Sequence, residues 1–384
     1  MTDLQSILDL VMNSSAVERV KLKDVCTDFI VPMRDKPKEF DGEIPWCRIE
    51  DFEGRSLNTS LSGKYVSQET IEKMNLKVMP TGTVICSCSA SLGVVGINTQ
   101  PVVTNQTFIG LVCGDRLINR YLMYYLEICT REFQSMSTTG TIPYISRKEF
   151  EQMVIPVPPI DVQCAIVEIL DQFSHLLTNI SDEVSLRDDQ LITYSQIVLS
   201  SDFIRTFGSE PTVCNLSEVA KVTTGDRVTK SEIRNDVGYP VMSGGVTPMG
   251  HYSNYNREAN TVTVVRYGSA GFVNWIDTKF WANDVCYTME CSDKVIPRYL
   301  YYALKVNEKY LYSIRTNAIP AHLQREDLES LQIFVPDIQT QQKIVNLLDS
   351  FHKLALVRRN ELRDRLAQFE YYRDLILSFG GIKS

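Results

Sequence analysis

The sequence predicts an α+β protein in which two mixed α/β domains follow one another and each is continued by a long helix. Two observations support this prediction: an internal repeat, and a heptad pattern within the repeat. Residues 150–200 align with residues 328–378 without a gap at a constant offset of 178, so that Gln163 matches Gln341. A period of this length is too long for a solenoid and fits a duplicated domain with its helix. The 384 residues therefore divide into two globular and two helical segments, in chain order 1–158, 159–200, 201–336 and 337–384.

The two helical segments carry the heptad pattern of a coiled coil, in which apolar residues recur at alternating steps of four and three. Segment 159–200 has a formal charge of −6 and segment 337–384 has +2, so we expect them to pair with each other. An antiparallel pair would make the molecule pseudo-two-fold symmetric; the alternative is two ordinary core helices within one domain. The predicted seam consists of Ile166, Leu170, Phe173, Leu177, Arg187 and Tyr194 in the first helix and Ile344, Leu348, Phe351, Arg365 and Tyr372 in the second.

The globular segments contain matching strand and turn signals. Residues 83–89 and 261–267 are rich in β-branched residues, and each run leads into a turn of small residues. Amphipathic helices are predicted at 119–130 and 297–305. Blocks near the start of each half match at an offset of 194, so the first half should carry about 16 additional residues before its strand. We expect both segments to fold around a curved sheet, with the same fold and different variable parts.

Three loops in each half are candidate contact surfaces, because hydroxyl and backbone N–H groups bond phosphates and arginine bonds guanine edges. The alternative is that they are only turns, but their recurrence at matched places favours a functional role. In the first half the loops are 46–51, 87–93 and 137–143, and the candidate residues are Ser87, Ser89, Ser91, Thr138, Thr139 and Thr141. In the second half the loops are 243–250, 266–271 and 315–320, and the candidates are Ser243, Gly244, Gly245, Arg266, Tyr267, Ser269, Arg315, Thr316 and Asn317.

Composition and missing motifs narrow the function. The net charge of −8 argues against a simple nucleic-acid-binding protein, although the globular segments are each close to neutral. The ten scattered cysteines form no CxxC pair, which favours reduced thiols in the cytoplasm and no metal site. No apolar run is long enough to span a membrane, and phosphate-loop, dinucleotide and methyltransferase signatures are absent. A nuclease site using Asp277 and Lys279, with Glu258 upstream, lacks a counterpart in the first half. We therefore expect a binding protein without catalytic residues or cofactor.

Four short runs of the sequence stand out beside the repeat. IPVPPIDVQCAIVEILDQF at 155–173 passes from a proline-rich stop into the first helix, and FVPDIQTQQKIVNLLDSF at 334–351 is a second copy with a single proline. GEIPW lies at 42–46 and YPVMSGG at 239–245. The first two runs resemble the segment that joins a recognition domain to its helix in the specificity subunit of type I restriction–modification systems, and the last two resemble early motifs of the target recognition domains of that family. The resemblance covers nearly the whole chain.

The resemblance implies that each globular segment is a target recognition domain that reads one part of a split sequence in double-stranded DNA. The paired helices would set the spacing and hold two methyltransferase subunits, which use S-adenosylmethionine. Restriction subunits, which use ATP and Mg²⁺, would join for cleavage, so the assembly would be a DNA adenine methyltransferase and an ATP-dependent endonuclease. No base-contacting residue can be carried over, because the recognition domains vary within the family. The alternative is a non-catalytic adaptor that binds proteins through the same duplicated coiled coil.

Overall fold

The computed structural model describes residues 17–137, 143–234, 237–316, 318–319 and 321–379. The described residues form two compact units. One contains those up to 179 together with those from 363 onwards, and the other contains those from 180 to 362. Each of the two long helices therefore contributes residues to both units.

The first half of the chain alternates short strands with helices, and two 3-10 turns lie at Leu22–Asp24 and Ile49–Asp51. Its elements are β1 (Glu18–Lys21), β2 (Cys26–Ile30), β3 (Ile44–Cys47), β4 (Tyr65–Val66), α1 (Gln68–Met74), β5 (Val78–Met79), β6 (Val84–Ser87), β7 (Val95–Ile97), β8 (Val102–Thr104), β9 (Phe108–Cys113), α2 (Asn119–Ile128), α3 (Thr130–Met136), α4 (Arg147–Gln152), β10 (Val154–Val157) and α5 (Ile160–Val198).

The second half repeats this order with fewer elements between its early strands. Its elements are α6 (Ser201–Thr206), β11 (Thr212–Asn215), α7 (Leu216–Val219), β12 (Ala220–Thr224), β13 (Tyr239–Met242), β14 (His251–Tyr252), β15 (Thr261–Val265), β16 (Val273–Ile276), β17 (Trp281–Ala282), β18 (Cys286–Cys291), α8 (Pro297–Val306), α9 (Glu308–Ser313), α10 (Arg325–Glu329), β19 (Gln332–Val335) and α11 (Ile338–Ser378).

The two halves have the same sheet topology. The main sheet has the order β2-β9-β6-β7 in the first half and β12-β18-β15-β16 in the second, with antiparallel pairing throughout. A smaller sheet contains one parallel pair in each half, β3 with β8 and β13 with β17. An outer antiparallel pair, β1 with β10 and β11 with β19, brings the start of each half beside the strand that precedes the long helix. These pairings confirm the predicted duplication and the mixed α/β class.

The additional residues of the first half are accommodated at two places. Residues 48–64 join β3 to β4, whereas residues 243–250 join β13 to β14. Residues 67–83 join β4 to β6 and include α1 and β5, whereas residues 253–260 join β14 to β15. The main sheet keeps its strand order because both insertions lie in connections outside it.

Matched backbone conformations explain why the repeat is visible around the central strands. Gly82, just before β6, has φ +83°, and Asn260, just before β15, has φ +60°. Glycine enters this left-handed region freely and asparagine is one of the few other residues that tolerate it. Gly93 and Gly271 close the following turns at φ +84° and φ +91°. The residue types that match in sequence are therefore those that the turns require.

Helices α2 and α8 cover the sheet and carry much of the core. Each buries a continuous stretch of side chains, 121–126 in α2 and 299–304 in α8. The central strand β6 is buried over its whole length, and β15 over all but its first residue. Burying one apolar side chain such as Leu122 or Leu300 contributes about 1.5–3 kcal/mol, so this helix-on-sheet layer stabilises each half.

A glutamine near the start of each long helix fixes the helix to the domain before it. Gln163 is fully buried; its Oε1 accepts from Ile118 N (2.9 Å), and its Nε2 donates to Arg116 O (2.9 Å) and Pro158 O (2.8 Å). The amide oxygen and both N–H groups of Gln163 therefore form hydrogen bonds, as a buried side-chain amide requires. We call this arrangement the glutamine anchor, and it orients the helix relative to the domain.

The second half has the same glutamine anchor. Gln341 is also fully buried; its Oε1 accepts from Ile296 N (2.8 Å), and its Nε2 donates to Lys294 O (2.9 Å) and Pro336 O (2.8 Å). All the partner atoms belong to the backbone. The match between the two glutamines in the sequence is thus explained by identical geometry.

About two turns further along each long helix, an aspartate holds a tyrosine and an arginine of the short helix, α2 or α8. Asp171 accepts from Tyr124 Oη (2.8 Å) and pairs with Arg120. Asp349, the equivalent aspartate of the second half, accepts from Tyr302 Oη (2.6 Å) and from Arg298 Nε (2.8 Å). The two polar contacts per half, glutamine and aspartate, leave little freedom at the junction of domain and helix.

The long helices span 39 residues in α5 and 41 residues in α11, and each begins directly after a proline-containing stop. At the start of α11, Asp337 accepts from Thr340 N (3.0 Å) and Thr340 Oγ1 (2.8 Å). Hydrogen bonds with Ser209 and Thr340 lower the pKa of Asp337 to about 2. Pro159 occupies the same place in the first half, so the two helices start by different means.

The predicted seam residues are largely withdrawn from solvent. All of them are buried or half-buried except Tyr194, which is 44 % exposed. Tyr194 nevertheless stacks on Phe351 with ring centroids 5.5 Å apart, so it lies at the rim of the seam. Within the other unit, Phe173 packs against Phe369 at 5.9 Å. Arg187 bonds back to Glu183 of its own helix (2.7 Å), which explains how a charged residue occupies a seam position.

The charge asymmetry of the helices is used in cross-helix ion pairs. In the unit of residues 180–362, Asp188 pairs with Arg359 (2.6 Å) and Glu183 with Arg358 (3.3 Å). These residues lie near the middle of both helices, whereas Tyr194, later in α5, meets Phe351, earlier in α11. The helices therefore run antiparallel, as predicted. In the part of the chain that the structure describes, neither these helices nor any other is apolar enough over a sufficient length to cross a membrane.

Candidate nucleic-acid interface

The three candidate loops of the second half lie together. Ser269 N donates to Gly244 O (2.9 Å), which joins the first loop to the second. Leu323 N donates to Arg266 O (3.0 Å), and Tyr267 pairs with His322 in an isolated bridge, which joins the second loop to the third. Sequence positions separated by some 70 residues thus form one surface.

Close backbone approach explains two glycines at this surface. A Cβ at Gly244 would lie 2.5 Å from Tyr267 O, and a Cβ at Gly268 would lie 2.5 Å from Gly244 O. Gly268 also has φ +89°, which other residues rarely adopt. Gly245 is exposed and Ser243 half-exposed beside them. Gly244 thus serves the packing of the loops, while Ser243 and Gly245 remain open to a ligand.

Arg266 is the most constrained basic side chain of the surface. Its guanidinium carbon lies 4.9 Å from the ring centroid of Tyr267 and 5.6 Å from that of Tyr287. Tyr287 is 1 % exposed, and its hydroxyl donates to Leu323 O (3.1 Å). Burial raises the pKa of Tyr287, so its ring is a neutral, fixed platform. Arg266 Nε is buried and finds no acceptor among the described residues.

The third loop is fastened by a residue that the sequence did not single out. His322 Nδ1 lies 2.9 Å from Thr316 Oγ1, and the backbone N of each residue donates to the other, Thr316 N to His322 O (2.9 Å) and His322 N to Thr316 Oγ1 (3.1 Å). The His322 ring stacks on Tyr267 at 5.1 Å. Matching His322 with Tyr144 at the repeat offset is the one sequence signal that could have found it.

The remaining candidates of this loop are only partly described. Arg315 is exposed, and its guanidinium lies 5.5 Å from the ring centroid of Tyr312. Ile319 is completely exposed, and Asn317 lies outside the described residues. Ser269 is half-exposed on the middle loop. Among its described residues, the loop therefore offers the exposed cation of Arg315 and the exposed apolar side chain of Ile319 near Arg266.

The first half repeats the backbone of this surface with different side chains. Ile145 N donates to Cys88 O (2.9 Å), as Leu323 N does to Arg266 O, and Ser89 pairs with Tyr144 as Tyr267 does with His322. Cys88 is buried, and burial raises its pKa to about 11, so it is a neutral thiol. No arginine or aromatic ring occupies the two positions that carry Arg266 and Tyr267 in the second half.

The serine candidates of the first half differ in accessibility. Ser87 is fully buried and its hydroxyl donates to Ser89 O (3.3 Å), so Ser87 holds the turn and is not available to a ligand. Ser89 is half-exposed and Ser91 is exposed. Thr138, Thr139 and Thr141 lie outside the described residues.

A basic and aromatic cluster in the first half was also missed by the sequence reasoning. Lys36 Nζ, the Arg48 guanidinium and Lys64 Nζ lie 5.7, 5.8 and 5.7 Å from the ring centroid of Trp46. Phe40 packs on the same indole at 5.6 Å. Lys36 lies between β2 and β3, whereas Arg48 and Lys64 lie at opposite ends of the connection 48–64, so no local pattern reveals the cluster. Arg48 is partly neutralised by Glu50, which leaves the two lysines as its free cations among the described residues.

The residues considered for a nuclease do not assemble a site. Asp277 is exposed, and Lys279 Nζ bonds Tyr255 Oη (2.8 Å) and Glu258 (3.2 Å). These two bonds raise the pKa of Lys279, which keeps it a cation in a surface ion pair. Within the described ranges, no group of three or more His, Cys, Asp or Glu side chains could hold a metal ion.

Comparison with known proteins agrees with this architecture. A family model described as "Type I restriction modification DNA specificity domain" matches residues 14–186 and 209–364, once in each half. The EcoprrI type I specificity subunit of Escherichia coli is 26 % identical over 375 residues, which is 91 % of each chain. A putative type I specificity subunit of Mycoplasma pneumoniae is 27 % identical over 240 residues, 59 % of this chain and 94 % of that protein.

Solved structures show the same fold. The type I restriction–modification S subunit from M. genitalium gives a TM-score of 0.58 at 15 % identity, covering 95 % of this chain and 97 % of the other. A chain from a study of assembly and conformational transition in a type I system gives 0.57 with the same coverage. The twofold family match, the duplicated fold and the paired helices together identify this chain as a member of the type I restriction–modification DNA specificity family.

Proposed function

We propose that the chain selects a bipartite site in double-stranded DNA, with residues 1–158 reading one half-site and residues 201–336 the other. The observation that carries this proposal is Arg266, a half-buried cation held between two rings whose Nε has no protein acceptor among the described residues. Such a donor suits an acceptor supplied by DNA. As a specificity subunit, the chain recognises the target and does not carry out catalysis itself.

The long helices are the proposed docking surface for partner subunits. Large apolar side chains lie exposed on them outside the seam, among them Leu186 (63 %), Leu354 (57 %) and Tyr371 (63 %). Exposed apolar groups of this kind are typical of protein interfaces. We propose that two methyltransferase subunits, which would hold S-adenosylmethionine, bind there. Restriction subunits using ATP and Mg²⁺ would complete the complex, which we assign to the cytoplasm.

Partner subunits would also allow an acidic chain to bind DNA. The chain has a net charge of −8, which opposes binding to the phosphate backbone. Basic residues on the recognition surfaces, such as Arg266, Arg315 and Lys64, supply only local contacts. We therefore expect the partner subunits to provide much of the phosphate binding. The adaptor alternative gives no reason for the Arg266 guanidinium to lie against two rings with no acceptor for its Nε among the described residues.

The decisive test is to co-express the chain with its methyltransferase subunit and map the methylated sequence by long-read sequencing. We expect two short half-sites separated by an unspecific gap. Asp277→Ala is the matched control and should leave the motif unchanged. Adding one heptad to both helices, at the facing residues Glu183 and Arg358, should lengthen the gap and keep both half-sites. An assembled complex that binds DNA without sequence preference would contradict the proposal.

A further inference from the structure

The side chain of Arg266 is fixed from several directions. The guanidinium faces the ring of Tyr267 at 4.9 Å and the buried ring of Tyr287 at 5.6 Å. Tyr267 is itself stacked on His322 at 5.1 Å, with an angle of 26° between the rings. The result is a continuous stack of cation, phenol and imidazole. Stacking of this kind holds the plane of an arginine and reduces the entropy it loses when it binds.

The hydrogen-bonding groups of this arginine are unused. Arg266 Nε is buried without an acceptor, and within the described ranges no carboxylate forms an ion pair with the side chain. Arg298 and Arg55, which are also half-buried, pair with Asp349 (2.7 Å) and Glu127. Arg48 Nε is likewise buried without an acceptor among the described residues, but the Arg48 side chain pairs with Glu50. A buried donor without a partner costs about 1–3 kcal/mol. Because the unpaired Arg266 Nε lowers the stability of the fold, its presence is better explained by a ligand that supplies the acceptor.

The geometry selects among the acceptors that DNA offers. Phosphate oxygens can be met by exposed cations such as Arg315, because such contacts mainly position the protein. A base edge must be met at a fixed distance and in a fixed plane, and guanine presents O6 and N7 to one guanidinium. A clamped, planar side chain with free donors therefore fits a guanine edge better than a phosphate.

We infer that Arg266 reads a guanine in the half-site recognised by residues 201–336, and that Tyr267 and His322 are positioning residues for it. This inference rests on the proposed function, since it names the base chemistry of one half-site. The first half has Cys88 and Ser89 at the equivalent positions and no such stack. The other half-site thus provides an internal control within the same DNA molecule.

The first test uses modified DNA and the complex of the chain with its methyltransferase subunit. Each guanine of the second half-site is replaced in turn by 7-deazaguanine, which lacks N7. Inosine, which keeps O6 and N7, is the control at the same position. At one position we expect 7-deazaguanine to weaken binding about tenfold, while inosine has little effect. A second half-site without guanine, or one insensitive to 7-deazaguanine, would overturn the inference.

The second test joins that DNA change to protein variants. Arg266→Ala and Arg266→Lys should weaken binding to the cognate target about 10–100-fold and abolish the effect of 7-deazaguanine. Neither variant should alter the response to changes in the first half-site. If Arg266→Ala instead weakens binding equally on all sequences and lowers the salt dependence by about one ion, while Arg266→Lys, which keeps the charge, restores the binding, Arg266 contacts a phosphate and the inference is wrong.

The positioning role of His322 is tested by comparing two substitutions of this residue. His322→Ala should reduce the discrimination between guanine and 7-deazaguanine while leaving non-specific binding unchanged. His322→Tyr, which restores a ring with the residue that the first half carries at Tyr144, should recover most of it. Equal loss of specific and non-specific binding in both variants would show a merely structural role. Wild-type complex that binds no sequence specifically would contradict the proposed function itself, which separates the two failures.

Discussion

The two recognition domains differ where a ligand would bind and agree where the chain is fastened. At matched positions the second domain has Arg266, Tyr267 and His322, and the first has Cys88, Ser89 and Tyr144. The backbone hydrogen bonds that hold these residues are the same in both domains. Side chains at this surface are therefore free to change without altering the path of the chain.

The junctions with the long helices show the opposite behaviour. Gln163 and Gln341 make the same three bonds, and Asp171 and Asp349 each hold one tyrosine and one arginine. A buried amide with three partners tolerates no substitution that leaves any partner unpaired. The comparison teaches that one duplicated fold can keep its frame by buried polar contacts while its recognition chemistry diverges.

The largest effect is expected from removing the glutamine anchor. Gln163→Ala or Gln341→Ala leaves one buried N–H and two carbonyls without partners, so each should lower the free energy of unfolding by about 3 kcal/mol. Chemical denaturation measures the loss. Gln342 is an exposed neighbour whose side chain bonds Asn346 alone among the described residues, so Gln342→Ala is the control and should change stability by less than about 0.5 kcal/mol. Clearly unequal losses for the two anchors would break the equivalence of the junctions.

A second prediction uses a position where the halves differ, His352 in α11 and Ser174 in α5. Burial, together with Arg298 and Arg359, lowers the pKa of His352, against the opposing charges of Asp349 and Asp188. The unfolded chain then takes up the proton first, so this contribution to stability is present above about pH 6.5 and is lost as the pH falls below it. His352→Ser should therefore reduce the drop in melting temperature between pH 7.5 and pH 5.5.

The control for this prediction is His175, which is exposed on α5. His175→Ser should leave the difference in melting temperature between the two pH values as it is in the wild type. A pH dependence that stays the same in His352→Ser would show that the buried imidazole does not govern it, and would remove this difference between the halves.

The smallest effect is expected from the ion pair between the helices. Asp188 and Arg359 are 2.6 Å apart, but their side chains remain 34 % and 46 % exposed. Asp188→Asn should cost less than about 1 kcal/mol, and the cost should shrink at high salt. Urea denaturation at low and high ionic strength measures it. A cost that is large and independent of salt would mean that charge, rather than the apolar seam, holds the helices together.

The parts of the fold that could be predicted are those encoded locally. A local pattern predicts the long helix at 166–198, where apolar residues recur in heptad steps. Local composition likewise predicts the strands at 83–89 and 261–267, which are rich in β-branched residues. The hydrogen bonds between Thr316 and His322 could not be predicted, because they depend on how the third loop folds back against Tyr267. The same holds for Lys36 and Lys64 around Trp46, which meet only once separate connections are placed by the sheet.

The role of the matched glutamines was also hidden from the sequence, although the match itself was plain. Their partners are backbone atoms, which have no signature of their own at residues such as Ile118 or Ile296. Ser87 shows the converse, since a hydroxyl that reads as a ligand contact proves to be buried within its own turn. Polarity alone does not tell a surface group from an internal one.

The backbone character of the glutamine anchor has an evolutionary consequence. Gln163 and Gln341 recognise only main-chain N–H and C=O groups, so this anchor does not depend on the side chains of the domain that it receives. Any variant of the domain that presents the same main-chain groups, and keeps the one tyrosine and one arginine that the helix aspartate holds, can be seated on either helix. Genetic exchange of whole segments between such chains would then create a new target sequence in one step, without a period of selection to repair the joint.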